Sequence, residues 1–231
     1  MKIYAFNFTC DRDQDLCVLM SQTLFRHCDN LTSLQVYNTD HDKNYKGYGN
    51  GAGFPQAMMK LDALRKVAAN CDDNDFILSV DSDVVFCSRD VFLQLDPEYG
   101  IIGIRHKPEY HTHFGPWGHM SGALIFIRGD IAKKIASLSE DELNAIRYEH
   151  FKAYNLTENE DVVLSYLARY VGANYKDLPS FVSSGNFEYD IQNRELRSFY
   201  HLNYCPTVFM GEMVSGKWDI PKVLDKKGIR L

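Results

Sequence analysis

No stretch of the 231 residues is apolar for long enough to cross a membrane. The opening Met1-Lys2-Ile3-Tyr4-Ala5-Phe6 leads straight into a strand pattern, without the charged-then-apolar order of a secretory leader. Basic residues are in deficit. The formal net charge is -6, which disfavours a duplex nucleic acid partner, because phosphate binding needs a basic face. No two of the six cysteines form a C-x-x-C pair or a metal knuckle, so Cys10, Cys17, Cys28, Cys71, Cys87 and Cys205 read as free thiols in a reducing compartment. Asn7-Phe8-Thr9, Asn30-Leu31-Thr32 and Asn155-Leu156-Thr157 match the glycosylation acceptor pattern, and without a leader they read as chance matches. These absences set the expectation of a cytoplasmic protein with no membrane span, rather than a catalytic domain cut from a membrane-anchored parent. Low-complexity linkers, internal repeats and composition shifts are also missing, so one domain over residues 1–231 is expected.

What is present is an ordinary globular composition, 45% hydrophobic and 24% charged, with a high aromatic share of 13%. Ile3 to Phe8 reads as a buried strand and Asp13 to about Cys28 as a helix with Leu16, Leu19, Met20, Thr23 and Leu24 inward. Leu34 to Tyr37 suggests a second strand. The glycine-rich stretch Gly47 to Gly53 lacks the strand-then-helix setting of a phosphate loop. Gln56 to Ala69 reads as a helix burying Met58, Leu61, Leu64 and Val67 or Ala68. Phe76 to Val80 is a continuous apolar run, as in a central strand covered on both faces, and Val84 to Phe86 resume it. Gly100 to Ile104 and Ala123 to Ile127 suggest strands separated by a polar, aromatic loop from Arg105 to His119. Helices are expected at Asp130 to Ser137, Glu140 to Tyr154 and Asp161 to Tyr170. The alternation predicts an α/β fold with a central, mostly parallel mixed sheet flanked by helices, whose ligands bind at the carboxyl ends of the strands.

Four clusters could carry chemistry. Asp81-Ser82-Asp83 places two carboxylates at the end of an apolar run, where burial is costly unless something compensates. A bound Mn²⁺ or Mg²⁺ would compensate, since hard oxygen ligands suit these ions and the ions bridge phosphates. The alternative is a strand-end turn with two solvated aspartates. Ser121-Gly122 before a strand fits either close approach of a ligand or a plain loop-to-strand joint. Glu160-Asp161 opens a helix, as acidic first-turn residues and caps commonly do, and Asn159 or Asp161 could serve as the cap. His201, among aromatics, fits a core histidine as well as a ligand.

Taken in order, these four elements resemble the glycosyltransferases of the GT-A fold, which share an Asp-x-Asp, a small-residue glycine loop, a Glu-Asp pair and a late metal-binding histidine. Met59-Lys60-Leu61 and the strand through Val84-Val85 are similar to the lysine-bearing helix and strand of the glycogenin-like branch. Gly216-Lys217-Trp218 is similar to that branch's phosphate-gripping loop, at a longer spacing from His201. The resemblance implies a nucleotide-binding half over residues 1–115 and an acceptor-binding half over 116–231. It implies a nucleotide-sugar donor, by default a UDP-sugar, held by Phe8, Thr9, Asp11, Lys60, Asp81, Ser82, Asp83 and Lys217. Asp81, Asp83 and His201 would hold the metal, a Lewis acid for the departing diphosphate. Asp161, with Glu160 beside it, would face the reacting sugar, as general base in an inverting enzyme or as a steadying anion in a retaining one. The glycogenin-like features tilt the balance towards retention. A glycan or other hydroxyl acceptor would lie over Tyr110 to His119, with Trp117 stacking on a sugar ring and His119, Ser121 and Gly122 alongside.

Rival readings are a zinc site among His111, His113 and His119, a nucleotidyltransferase, and a non-catalytic sugar-binding protein on the same fold. The histidines lack the paired spacing of a helical metal site. The loop Thr9-Cys10-Asp11-Arg12-Asp13 lacks the glycine-rich, basic character usual for nucleotidyl transfer. All candidate ligands are retained, which argues against a bare binder.

Overall fold

The computed structural model describes residues 1–46, 53–106, 118–179 and 198–201, and the fold below is that of these residues. They form two compact units interleaved along the chain. The first comprises residues 1–11, 30–81 and 96–177, and the second draws its described residues from 12–29, 82–95, 178–179 and 198–201.

The first unit is built on a six-stranded mixed sheet. Its strands are β1 (Ile3–Thr9), β2 (Leu31–Asn38), β3 (Phe76–Val80), β5 (Ile101–His106), β6 (His119–Arg128) and β7 (Tyr175–Asp177), in the order β2-β1-β3-β6-β5-β7. β1 pairs in parallel with β2 and β3, and β5 with β7, while β6 runs antiparallel to both β3 and β5. β3 lies in the middle, and all five of its residues are buried, as the continuous apolar run requires. Asn7 on β1 is wholly buried and its amide donates to the Val80 carbonyl at 2.8 Å, so this asparagine cannot carry a glycan.

Four helices flank this sheet: α2 (Phe54–Ala68), α3 (Gly129–Ala136), α4 (Glu140–Ile146) and α5 (Glu160–Tyr170). α2 opens with Pro55 in its first turn, where the missing amide hydrogen is not needed. Its buried stripe is Ala57, Lys60, Leu61, Leu64, Val67 and Ala68, so the inward face includes a lysine and Met58 is only half-buried. α4 begins in a capping box. Ser139 accepts the Glu142 amide at 3.2 Å, and the Glu142 carboxylate accepts the Ser139 amide at 2.8 Å. The helix expected over 140–154 is broken in two, α4 giving way to a wider π turn over Arg147–Lys152. There Arg147 grips Glu158 with two bonds of 2.8 and 3.1 Å, drawing the following chain back towards the turn.

The second unit contains α1 (Gln14–His27) and a two-stranded antiparallel pair, β4 (Val84–Phe86) with β8 (Phe199–His201). Val84 to Phe86 thus do not resume the central strand. After the Asp81 amide bonds the Ala123 carbonyl at 3.0 Å, the chain leaves the main sheet and β4 belongs to another. α1 buries Cys17, Leu19, Met20, Thr23 and Leu24, and the Thr23 hydroxyl accepts the Phe86 amide at 3.2 Å. Ser198 fastens the β4 end, its hydroxyl accepting the Val91 amide at 2.8 Å and its carbonyl the Cys87 amide at 2.7 Å. Cys10, Cys17, Cys28, Cys71 and Cys87 form no disulfide among the described residues, in line with the spacing argument, and Cys205 lies outside them.

One glycine tests the packing between α3 and the loop before β3. A Cβ on Gly129 would stand 2.0 Å from the Asp72 carbonyl oxygen, a backbone atom that cannot swing aside. Gly129→Ala is therefore expected to destabilise the protein by about 1–3 kcal/mol, read as a lower midpoint in urea unfolding. An unchanged midpoint would mean that the loop at Asp72 yields freely.

Candidate functional site

The carboxyl ends of β1, β3 and β5 lie along one edge of the sheet. Because β6 is antiparallel, its first residues reach the same edge, with His119 opposite His106 and Leu124 opposite Val80. β6 begins at His119, four residues before the strand expected at Ala123. Between the pairs Gly103–Ile125 and Arg105–Met120, β5 advances two residues while β6 advances five. Ser121 to Leu124 carry that irregularity, a bulge of the kind that re-aims side chains at a sheet rim.

The first turn of α5 sits against this bulge. A Cβ on Gly122 would touch the Asp161 side chain, 3.4 Å from its Cβ and 3.6 Å from Oδ2, so the absent side chain leaves that carboxylate uncovered. His119, only 4% exposed, approaches Asp161 with Nε2 3.5 Å from Oδ2, an ion-pair distance long for a hydrogen bond. The His106 ring stacks on His119 at 4.8 Å between centroids. Ser165, one turn along α5 from Asp161, accepts the Met120 amide at 2.9 Å and ties β6 to α5. Asn159 is the N-cap residue of α5 but makes no side-chain cap bond, and Asp161 accepts the Val162 amide at 2.8 Å instead.

Burial alone would raise the pKa of the Asp161 carboxyl. The contact with His119 and its charge, the charge of Lys60 and the Val162 amide outweigh burial and hold it below the usual carboxylate range. Lys60 reaches this neighbourhood from the buried face of α2 and is itself 2% exposed. Lys60, His119, Ser121, Gly122 and Asp161 are thus brought together on one edge, with Asp81 just beyond Val80 on the adjoining strand. Glu160 lies beside Asp161 in the first turn and is half-buried.

The expected nucleotide loop lies beyond β1 on the same edge. Phe8 does not stand open there: its ring stacks on Tyr37 at 5.4 Å and meets Tyr45 edge-on at 5.1 Å. Tyr45 is wholly buried, donates to Asp62 and accepts from Lys66, both at 2.7 Å. Thr9 is buried, and its carbonyl accepts the Thr39 hydroxyl at 3.1 Å. Asp11 is exposed. Bonds from Asn38 and His41, each 2.9 Å, hold its carboxyl below the usual range, and its amide donates to Asp40.

In the second unit, Ser82 and Asp83 are buried, 8% and 6% exposed. The backbone of His201 is opposite Val84, one residue beyond Asp83. Among the described residues, no three His, Cys, Asp or Glu side chains gather as a metal site would require. The His201 side chain, Trp117, His111, His113 and Lys217 lie outside the described residues.

No protein-family model matches the sequence, and no curated protein matches it. Solved structures do. The galactosyltransferase LgtC, determined with donor and acceptor sugar analogs, aligns with a TM-score of 0.53 at 12% identity, over 97% of this chain and 99% of that one. Mouse xyloside xylosyltransferase 1 aligns at 0.51 and 10% identity, over 88% of this chain and 98% of that one. GlyE of Streptococcus pneumoniae aligns at 0.51 and 16% identity, over 87% of this chain but 54% of GlyE, so the chain spans about half of that protein. The fold is GT-A.

Two members of the GT-A edge escaped the sequence reading. His106 faces His119 across two strand ends that the sequence shows only as the rims of a loop. Ser165 did leave a signal: it is four residues after Asp161 on one helix, hence on the same face.

The lowered pKa of Asp161 has a consequence for acid stability. A carboxyl depressed in the folded state stabilises it fully above the unfolded value of about 4, and that contribution is lost as pH falls through the folded value. Urea midpoints of the wild type should therefore fall more steeply with acid below about pH 4 than those of Asp161→Asn. Parallel curves would mean that the surrounding charges do not act on this carboxylate.

Proposed function

We propose that the protein is a metal-dependent glycosyltransferase that moves a sugar from a nucleotide-sugar, by preference a UDP-sugar, to a hydroxyl of a glycan or similar acceptor. The observation that carries this reading is Asp161, a largely buried carboxylate left uncovered by Gly122 at the ligand-binding edge of a GT-A sheet. LgtC, similar in fold, was solved with donor and acceptor sugar analogs, which supports a sugar donor and a sugar acceptor here.

The donor set suits Mn²⁺ or Mg²⁺. Asp81 and Asp83 offer hard oxygens, and the β4–β8 register brings the His201 backbone one residue along from Asp83 across the ladder. Asp81, Asp83 and His201 would hold the ion, which when bound supplies Lewis-acid stabilisation of the leaving diphosphate. Lys60, and Lys217 on the family resemblance, add positive charge for the same group. Phe8, Thr9, Asp11 and Ser82 border the nucleotide, while Trp117, Ser121 and Gly122 border the acceptor, with His119 against Asp161.

Asp161, with Glu160 beside it, acts on the sugar. A general base works best with a pKa near the working pH, and Asp161 is held on the acid side of an ordinary carboxyl. It is a weak proton acceptor and a persistent anion. The glycogenin-like features of the sequence, Met59-Lys60-Leu61 and the strand through Val84-Val85, favour a retaining enzyme, in which the carboxylate steadies an oxocarbenium-like state, over an inverting one in which it removes the acceptor proton.

Calorimetric titration with a panel of nucleoside diphosphates, with Mn²⁺ and then with chelator, tests the donor site. Metal-dependent binding of one nucleotide is expected, and Asp83→Ala should abolish it while the circular dichroism spectrum is unchanged. Metal-dependent hydrolysis of the matching nucleotide-sugar should follow. A panel without any binding would leave a sugar-binding protein on this fold, and normal transfer by Asp83→Ala would remove Asp83 from the metal site.

A further inference from the structure

We infer that His119 is a positioning residue: it acts through Asp161, holding that carboxylate aimed, and does not itself grip the acceptor. The inference rests on the glycosyltransferase reading for its kinetic consequence and on geometry alone for the pairing.

Four observations support it. Nε2 of His119 is 3.5 Å from Oδ2 of Asp161, the same oxygen that lies 3.6 Å from the place of a Gly122 Cβ. The His119 side chain is 5% exposed and that of Asp161 19%, so the histidine is the more enclosed of the two. The imidazole is fixed in its turn. His106 stacks on it from β5, with 24° between the rings, and the amide of the next residue, Met120, is tied to Ser165 on the helix that bears Asp161. This bond from the β6 backbone to a side chain of α5, one helical turn from Asp161, helps to preserve the distance between the strand and the helix. Oδ1 of Asp161 is already engaged by the Val162 amide at 2.8 Å, so the two oxygens are separately held.

Among the described residues, the groups acting on Asp161 are His119 from β6 and Lys60 from α2, with the Val162 amide from its own helix. Lys60 answers the carboxylate's charge from α2. His119 approaches Oδ2 itself at 3.5 Å, and so contributes direction.

The tests are His119→Leu, which fills the site without a donor, and His119→Gln, which restores a donor near the position of Nε2. In a transfer assay His119→Leu should lower kcat by up to about a hundredfold with the acceptor KM little changed, and His119→Gln should recover most of kcat. A raised acceptor KM with unaltered kcat would return His119 to the acceptor site and overturn the inference. Should His119→Leu fail to fold, His119→Asn, polar but too short to reach Oδ2, takes its place. A second readout needs no activity: in ¹³C NMR of the aspartate carboxyls, Asp161 should titrate at higher pH in His119→Leu than in the wild type. An unchanged titration would overturn the pairing whatever the kinetics. An altered titration in a protein that transfers no sugar from any donor would instead sink the glycosyltransferase reading, and the positioning role with it.

Discussion

Because β6 runs against its neighbours β3 and β5, a strand enters the sheet at the edge where the parallel strands leave it. The meeting of His119, Gly122 and Asp161 depends on that reversal. The parallel strands deliver their last residues and the turns beyond them to the edge: Thr9 at the end of β1 and Asp11 beyond it, Asp81 after β3, His106 at the end of β5. The antiparallel strand delivers a strand start, with His119 and Met120 still paired to β5 and Ser121 to Leu124 bulged from that ladder. A bulge bends its strand and raises the local twist. Here it places a residue without a side chain before Asp161 and leaves the Ala123 carbonyl to accept the Asp81 amide. One irregularity thus fixes both the last sheet bond of the Asp-x-Asp strand and the open space before the carboxylate.

The electrostatics follow from that packing. Taking a carboxylate out of water is unfavourable by several kcal/mol unless opposing charge or hydrogen bonds offset it. Asp161 has a lysine, a histidine and a backbone amide to do so, and their sum exceeds the effect of burial. The groups come from three elements, α2, β6 and α5, so the compensation exists only when the first unit is folded. The local sequence around Asp161, Glu160-Asp161-Val162, contains none of the cationic partners. The unfolded chain therefore has an ordinary aspartate, and the folded one a fixed negative charge.

How much of this was legible in the sequence depends on the range of the interaction. β3 was readable because burial on both faces demands an unbroken apolar run, and Phe76 to Val80 is one. The course of the chain after Asp83 was not. Val84-Val85-Phe86 is as apolar as the run before it, and nothing local says that it pairs with residues more than a hundred positions away. Lys60 fell on the helix's inward face against the expectation for a lysine, because its partner is set by tertiary contact and periodicity registers only hydrophobicity. His119 was legible as polar and near the edge but not in its direction. Rotating a side chain from acceptor to carboxylate takes a strand that starts four residues earlier than the apolar pattern suggests.

The glycine at position 122 shows why the two kinds of legibility meet at one residue. A glycine before a strand is a weak sign in sequence, since an ordinary joint uses it as readily as a ligand site. In the structure its backbone needs no left-handed conformation, for it is not among the positive-φ glycines of the described residues, so chain geometry does not explain it. Nor does steric exclusion: an added methyl would meet Asp161 at ordinary van der Waals distance, not in a clash. What glycine does supply is access. Any side chain there would cover the one oxygen of Asp161 that the Val162 amide does not take. A glycine whose backbone and surroundings would accept alanine thus leaves the oxygen that His119 approaches without a second covering group.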